Sequence, residues 1–311
     1  MTYLVTGAAG FIGSHLCEAL LQAGAHVRGV DCFVPYYPKP LKDKNLASLL
    51  AHPNFQFFAR DLRTDELADV VADVDAIIHL AAMPGLVASW TDFDLYQSCN
   101  ITATQRLLEA CRTVPGLKRF IYGSTSSVYG KFASGDETLP TRPISPYGVT
   151  KLAGEHLCRA YMDSFSLPLV VTRFFSVYGP GQRPDMAYHI FMKALLHGTP
   201  INVYGDGQQV RGNTFVTDCV RAIILALNST VGEVYNIGGG EMVSLRDVMN
   251  KLQVLAGKEF TINQHSTRPG DQRHTFADTT KLQRQLGWQA TTSIDDGLAQ
   301  QWQWIQQLYA N

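Results

Sequence analysis

Tyr147 and Lys151 stand four residues apart in Tyr-Gly-Val-Thr-Lys, a spacing that puts both side chains on one face of a helix. A phenol with an ordinary pKa near ~10 is a poor base at neutral pH, and a nearby ammonium stabilises its phenolate. A bound nicotinamide cation would do the same. Upstream, Ser124-Thr125-Ser126-Ser127 places four consecutive hydroxyls at the end of the apolar run Lys118 to Gly123. Thr125 is suited to hydrogen-bonding a substrate hydroxyl, Tyr147 to taking its proton, and Lys151 to holding a ribose. Together they make a proton path for oxidising a secondary alcohol, which needs a nicotinamide to accept the hydride.

The elements that must hold such a cofactor lie at the start of the chain. Tyr3-Leu4-Val5-Thr6 reads as a buried strand, followed by a turn with glycines at Gly7, Gly10 and Gly13 and then a helix from Phe11 to Ala23. Glycines there allow a tight turn and close approach to a diphosphate at the helix's positive end, with Phe11 and Ile12 opening that helix. The next strand, His26 to Val30, ends at Asp31, the distance expected of a ribose-hydroxyl ligand, which favours NAD over NADP.

Asp61-Leu62 ends the strand Asn54 to Arg60 and suits either adenine contact or helix capping. Ala76 to Ala82 is a buried strand whose small end, Leu80-Ala81-Ala82, leaves space for a flat group, and His79 within it reads as a core histidine. Asn100, on a helix expected over 93–112, either faces solvent or bonds a neighbouring strand; it is grouped with Ser124 among the cofactor contacts. Lys131 to Pro146 reads as a loop delivering Tyr147, and Leu169 to Phe175 as a strand ending at Ser176. Strands alternating with helices at short intervals predict an α/β fold, a doubly wound parallel Rossmann sheet with a smaller α/β substrate-binding lobe. The expected division is an NAD-binding domain over 1–176, joined by returning segments, and a substrate lobe over 177–311.

The totals set bounds. A formal net charge of -1 over 311 residues leaves no footprint for nucleic acid or an anionic membrane. The six cysteines include no CxxC pair and read as reduced thiols, the histidines show no metal-ligand spacing, and no apolar run approaches a bilayer span. A cytoplasmic protein without a metal, a membrane or a nucleic-acid partner is expected.

The whole chain resembles the extended short-chain dehydrogenase/reductases, specifically the nucleotide-sugar epimerases, and most closely the UDP-glucuronate 4-epimerases. The resemblance is carried by Gly7 to Gly13, by Thr125-Ser126-Ser127-Val128-Tyr129-Gly130, by Tyr147 and Lys151, and by Arg173 to Pro180 with Gln182-Arg183-Pro184-Asp185-Met186. It implies a tightly held NAD that stores and returns one hydride, a catalytic Thr125, Tyr147 and Lys151, and a 4-keto sugar as intermediate. It also implies that Thr125, Ser126, Ser127 and Ser176 grip the sugar carboxylate, with Arg183 near the sugar, Val203 and Tyr204 flanking uracil, and Arg211 and Arg268 with Asp271 near the diphosphate. A homodimer through a four-helix bundle is implied as well. Two positions depart from the pattern: Val87 stands where an arginine is expected, and Gly212-Asn213 where Asp-Phe is expected. A UDP-glucose/galactose 4-epimerase, a UDP-glucuronate decarboxylase and a non-catalytic NAD-binding regulator are the alternatives.

Overall fold

A computed structural model describes residues 1–266 and 274–310. Its strands are β1 (Thr2–Thr6), β2 (His26–Asp31), β3 (Phe55–Ala59), β4 (Ala76–His79), β5 (Arg119–Thr125), β6 (Ser134–Gly135), β7 (Leu169–Phe174), β8 (Ser176–Tyr178), β9 (Ile201–Tyr204), β10 (Val210–Phe215), β11 (Val234–Ile237), β12 (Met242–Ser244), β13 (Ile262–His265) and β14 (His274–Ala277). The helices are α1 (Phe11–Gln22), α2 (Lys39–Leu50), α3 (Ala68–Val71), α4 (Phe93–Gln97), α5 (Ala103–Cys111), α6 (Pro146–Phe165), α7 (Ala187–His197), α8 (Val216–Ala226), α9 (Leu245–Ala256), α10 (Thr280–Leu286) and α11 (Ile294–Leu308).

Seven strands form one parallel sheet in the order β11-β7-β5-β4-β1-β2-β3. Side chains alternate across it. Val5, Ile78, Ile121 and Val170 face one apolar layer, while Leu4, Ile77, Phe120 and Val171 face the other. Burial on both faces explains why these strands read as continuous apolar runs. Strand order reverses between β1 and β4, and the crevice beyond their carboxyl ends is where such sheets take ligands.

The second half builds the smaller lobe around β12-β10-β14-β6, with β8 on β10 and β9 paired to β13. Its chain also returns to the first half, because β11 pairs with β7 at the sheet edge. Three local expectations change. The helix over 93–112 is interrupted by a π-helical stretch, Ser98–Thr102, which carries Asn100. The loop before Tyr147 contains β6, whose Ser134 pairs with Phe276 of β14. Ser176 does not end β7 but starts β8, opposite Asn213. Pairs of two or three residues carry too little periodicity to be visible in sequence. Among the described residues no helix is long and apolar enough to cross a membrane.

Candidate active site

The crevice at the reversal point is lined by the glycine turn, the ends of β2, β4 and β5, and the first turns of α6. At Gly7 the backbone is left-handed, φ +73°, and a Cβ there would lie 2.9 Å from the Ala81 amide nitrogen. A Cβ at Gly13 would lie 2.1 Å from the Gly7 carbonyl oxygen, so α1 packs against the turn only without one. Gly10 caps α1 with no side-chain bond, and no acid stands in that helix's first turn. The Phe11 and Ile12 end of α1 thus offers unshared amides and a positive dipole to an anion lying in the crevice. The cradle fits a dinucleotide diphosphate.

Asp31 closes one end of the crevice, 8% exposed, and its Oδ1 accepts from Phe33 N at 2.8 Å and Lys42 Nζ at 3.1 Å. Lys42 was not legible as a site residue, since it lies one helix turn into α2 with no motif around it. Asp61 and Leu62 also line the crevice. Instead of capping a helix, Asp61 takes both Nε and Nη2 of Arg63, at 2.9 and 2.7 Å, and that guanidinium holds its carboxyl below the ordinary range.

Leu80, Ala81 and Ala82 form the crevice floor. Beneath them Thr6 Oγ1 accepts from Ala81 N and contacts His79 Nδ1 at 2.7 Å, while His79 Nε2 contacts Thr104 Oγ1 at 3.0 Å. The Thr104 hydroxyl donates to Asn100 O, so it accepts from Nε2–H, and Nδ1 accepts from Thr6. Burial, with Lys151's charge adding to it, pulls His79 down to about 3, and it is a neutral core histidine. Of the two readings for Asn100 the structure shows the bond to the neighbouring strand's end, and its grouping with the cofactor contacts is what changes. Asn100 is fully buried, does not line the crevice, and spends its amide on Met83 N at 2.7 Å, Met83 O at 3.0 Å and Thr150 Oγ1 at 3.0 Å. It braces the β4 end against α6 rather than facing a cofactor. The π-helical stretch is where the helix yields to that brace.

Local chemistry sets where α6 starts. Ser145 accepts from Gly148 N at 3.1 Å and Pro146 occupies the first turn, so Tyr147 enters at the helix's first turn. Thr125, Tyr147 and Lys151 converge on the crevice beyond β5. Lys151 is 3% exposed, with Nζ 4.3 Å from the Tyr122 ring centre, and burial lowers it to about 8 against the opposing pull of Cys158 and Glu155. Burial raises Tyr147, while its hydrogen bond with Thr125 and the charge of Arg183 act the other way. Arg183, which lines the same crevice, is a cation that favours the phenolate. Lys151 is turned onto the Tyr122 face.

A buried network supports this edge. Glu155 accepts from Ser124 Oγ at 2.5 Å and from Arg173 Nε and Nη2 at 3.0 and 2.7 Å; Arg173 Nη1 donates to Tyr129 Oη at 2.9 Å, and Tyr129 donates to Asn236 Oδ1 at 2.7 Å. Ser124 reaches the crevice, but its hydroxyl hydrogen is committed to Glu155.

The residues expected at the sugar divide. Thr125 Oγ1 accepts from Ser127 N at 3.2 Å in the turn Ser126–Tyr129, and the pairing of Thr125 with Phe174 puts Ser176 two residues beyond, at the same edge. Arg183 lines the crevice and pairs with Asp185. Val203 is a correction: it is 5% exposed within the apolar core, because alternation along β9 turns it inward, and its side chain cannot flank a base. Tyr204 stacks on His265, ring centres 4.9 Å apart at 21°. Half-buried Arg211 donates to Val210 O at 3.1 Å, and Asn213 Nδ2 donates to Arg211 O at 3.0 Å, tying down the strand at the departure Gly212-Asn213. Arg268 and Asp271 lie outside the described residues. Val87 is 71% exposed on the loop after β4.

The profile of the family described as "NAD dependent epimerase/dehydratase family" matches residues 3–238. The chain belongs to that family. Among solved structures, this epimerase/dehydratase chain is similar to UDP-glucuronic acid 4-epimerase from Bacillus cereus in complex with UDP-glucuronic acid and NAD, with a TM-score of 0.96, 46% identity, and 99% and 100% of the two chains covered. Among curated relatives it is 45% identical to "Uncharacterized UDP-glucose epimerase YtcB" of Bacillus subtilis (strain 168), over 99% of each chain. It is 36% identical to UDP-glucuronate 4-epimerase of Thermodesulfobacterium geofontis (strain OPF15), over 97% of this chain and 95% of that one.

Proposed function

We propose that this protein is an NAD-dependent UDP-sugar 4-epimerase whose substrate is UDP-glucuronate and whose product is UDP-galacturonate. The observation that carries it is the convergence of Thr125, Tyr147 and Lys151 on the same crevice as the glycine cradle. Gly7, Gly10, Phe11, Ile12 and Gly13 would hold the NAD diphosphate, Asp31 with Lys42 the adenosine ribose, and Asp61 and Leu62 the adenine. Bound NAD supplies a reversible acceptor for the hydride on the sugar's C4.

Every other step falls to the chain's own groups. Thr125 hydrogen-bonds the sugar 4-hydroxyl while Tyr147, whose phenolate Arg183 favours, takes its proton. Lys151 holds the ribose near Tyr147. Once the 4-keto sugar has turned within the site, so that the stored hydride would return to the other face of C4, Tyr147 returns the proton to the oxygen and the opposite C4 configuration results. A 4-keto uronic acid loses carbon dioxide when its carboxylate bond aligns with the carbonyl π system, so the carboxylate must be held out of alignment. Thr125, Ser126, Ser127 and Ser176, grouped at one sheet edge, suit that grip.

Val87 favours a second reading, UDP-glucose as substrate, because the loop after β4 brings no cation toward an acidic sugar. Incubating the NAD-loaded protein with UDP-glucuronate and separately with UDP-glucose, followed by NMR of the sugar signals, decides. UDP-galacturonate without pentose supports the proposal. Turnover of UDP-glucose alone moves the substrate to the neutral sugar, UDP-xylose makes the protein a decarboxylase, and no turnover makes it a regulator.

A homodimer is part of this reading. Trp90 at 68% exposed, with exposed Phe93 and Val149, presents apolar surface where α4 meets the start of α6. A monomer by light scattering at working concentration would refute it. A cytoplasmic location accords with the six cysteines, all free.

A further inference from the structure

Two loops meet over the crevice, and they come from opposite halves of the fold. Tyr36 belongs to the loop after β2, on the side of Asp31; Arg183 and Asp185 belong to the loop after β8. Tyr36 Oη donates to Asp185 Oδ2 at 3.1 Å, and Asp185 accepts Arg183 Nε and Nη2 on its two oxygens, both at 3.0 Å. The guanidinium carbon of Arg183 lies 5.7 Å from the Tyr36 ring centre. Gly85, at φ +95°, packs against the same hydroxyl: a Cβ there would lie 2.4 Å from Tyr36 Oη. Tyr36 is thus wedged between the loop after β4 and Asp185.

Stability does not account for this arrangement. Asp185 is 37% exposed and Arg183 22% exposed, and an ion pair at such a rim contributes little. Its two-oxygen geometry fixes direction instead. Arg183 lines the crevice that Tyr147 also reaches, and Val87 leaves the loop after β4 without a cation. A flexible side chain does not hold one orientation unaided, and each link from Asp185 to Tyr36 removes freedom that a binding anion would otherwise have to remove.

We propose that Tyr36 and Asp185 are positioning residues that hold the Arg183 guanidinium toward the sugar, and that this bridge sets the protein's discrimination between an acidic and a neutral UDP-sugar. The proposal rests on the UDP-sugar reading above and goes beyond it, since it assigns roles to residues that touch neither reacting atom. The bridge joins the ribose side of the crevice to its sugar side.

The test is affinity rather than turnover. UDP-glucuronate and UDP-glucose are titrated calorimetrically into NAD-loaded protein in a Tyr147→Phe background, with and without Tyr36→Phe or Asp185→Ala, and UDP alone serves as the control probe. A hydrogen bond to a charged group corresponds to about a factor of ten in an equilibrium. Each added substitution is expected to lower the ratio of UDP-glucuronate to UDP-glucose affinity by about five- to tenfold and to leave UDP unchanged. An unchanged ratio, or equal weakening of both sugars and UDP, overturns the proposal. Tighter UDP-glucuronate binding by the Asp185→Ala protein overturns it too, because Asp185 would then compete for Arg183 instead of aiming it. Failure of the epimerase reading shows separately, as absence of turnover by the unsubstituted protein, and leaves the affinity ratio decisive for the bridge.

Discussion

Replacing Lys151 by methionine should stabilise the fold while removing its buried ammonium. Lys151 is buried at 3% exposure, and its pKa falls from the ordinary 10.5 to about 8. At neutral pH the folded protein therefore carries a charge it disfavours, at a cost on the order of 3 kcal/mol, with ~1.4 kcal/mol for each pH unit of displacement. Because the pKa is lowered in the fold, the unfolded chain binds more protons between about 8 and 10.5, and stability rises with pH across that window. Below about 8 the cost is full; above 10.5 it is gone. Methionine has similar length and no charge, and its introduction strands no partner, since Glu155 keeps both Arg173 bonds and Ser124. Urea unfolding of cofactor-depleted protein at pH 7 should thus favour Lys151→Met by roughly 1–3 kcal/mol, the lower end allowing for the lost contact with the Tyr122 ring. At pH 10 the difference should shrink below about 1 kcal/mol. A variant less stable than the parent at pH 7, or a gap equal at both pH values, would refute the reasoning.

Asp31→Ala should weaken NAD binding and leave Lys42, now without its 3.1 Å partner, able to meet a 2′-phosphate; a titration comparing NAD with NADP should show the preference narrowing at least tenfold. Gly13→Ala places a methyl 2.1 Å from the Gly7 carbonyl oxygen, so it should lower the melting temperature and abolish NAD retention during gel filtration, whereas retained NAD would mean that the turn relaxes. Glu155→Gln leaves the buried Arg173 charge without its counter-ion, and chemical unfolding should register a loss of about 3–5 kcal/mol. A loss under 1 kcal/mol there would mean that Tyr129 alone satisfies Arg173.

The parts of this site that lie close together in sequence were legible in it. The glycine turn, Asp31 and the Tyr147–Lys151 pair are each set by spacing within one strand–turn–helix or one helix turn, and spacing survives folding. What spacing could not supply was direction. Lys151 shares a helix face with Tyr147, yet its ammonium is turned onto the Tyr122 ring, a contact decided by β5. Asn100 resembled a candidate ligand because its type is right, and only the approach of Met83 and Thr150 shows its amide to be occupied. Val203 illustrates the same limit: a four-residue strand does not reveal which of its faces is the core. Bonds spanning long stretches of chain, such as Tyr36 to Asp185 or Tyr129 to Asn236, leave no local pattern to read.

The return of β11 to the sheet edge has a consequence for how the chain is made. Until Val234–Ile237 leaves the ribosome, β7 presents one side of an apolar ladder, Leu169 to Phe174, with no neighbour to bond. Elongation at ~5–20 residues per second makes that wait last on the order of several seconds. During it the nascent chain carries an open strand edge, the kind of surface that pairs with other chains. The seven-stranded sheet therefore cannot be completed until part of the second half of the chain has been translated. Its last strand is encoded after β8, β9 and β10 of the lobe, so the sheet and part of the lobe must be made before that edge is closed.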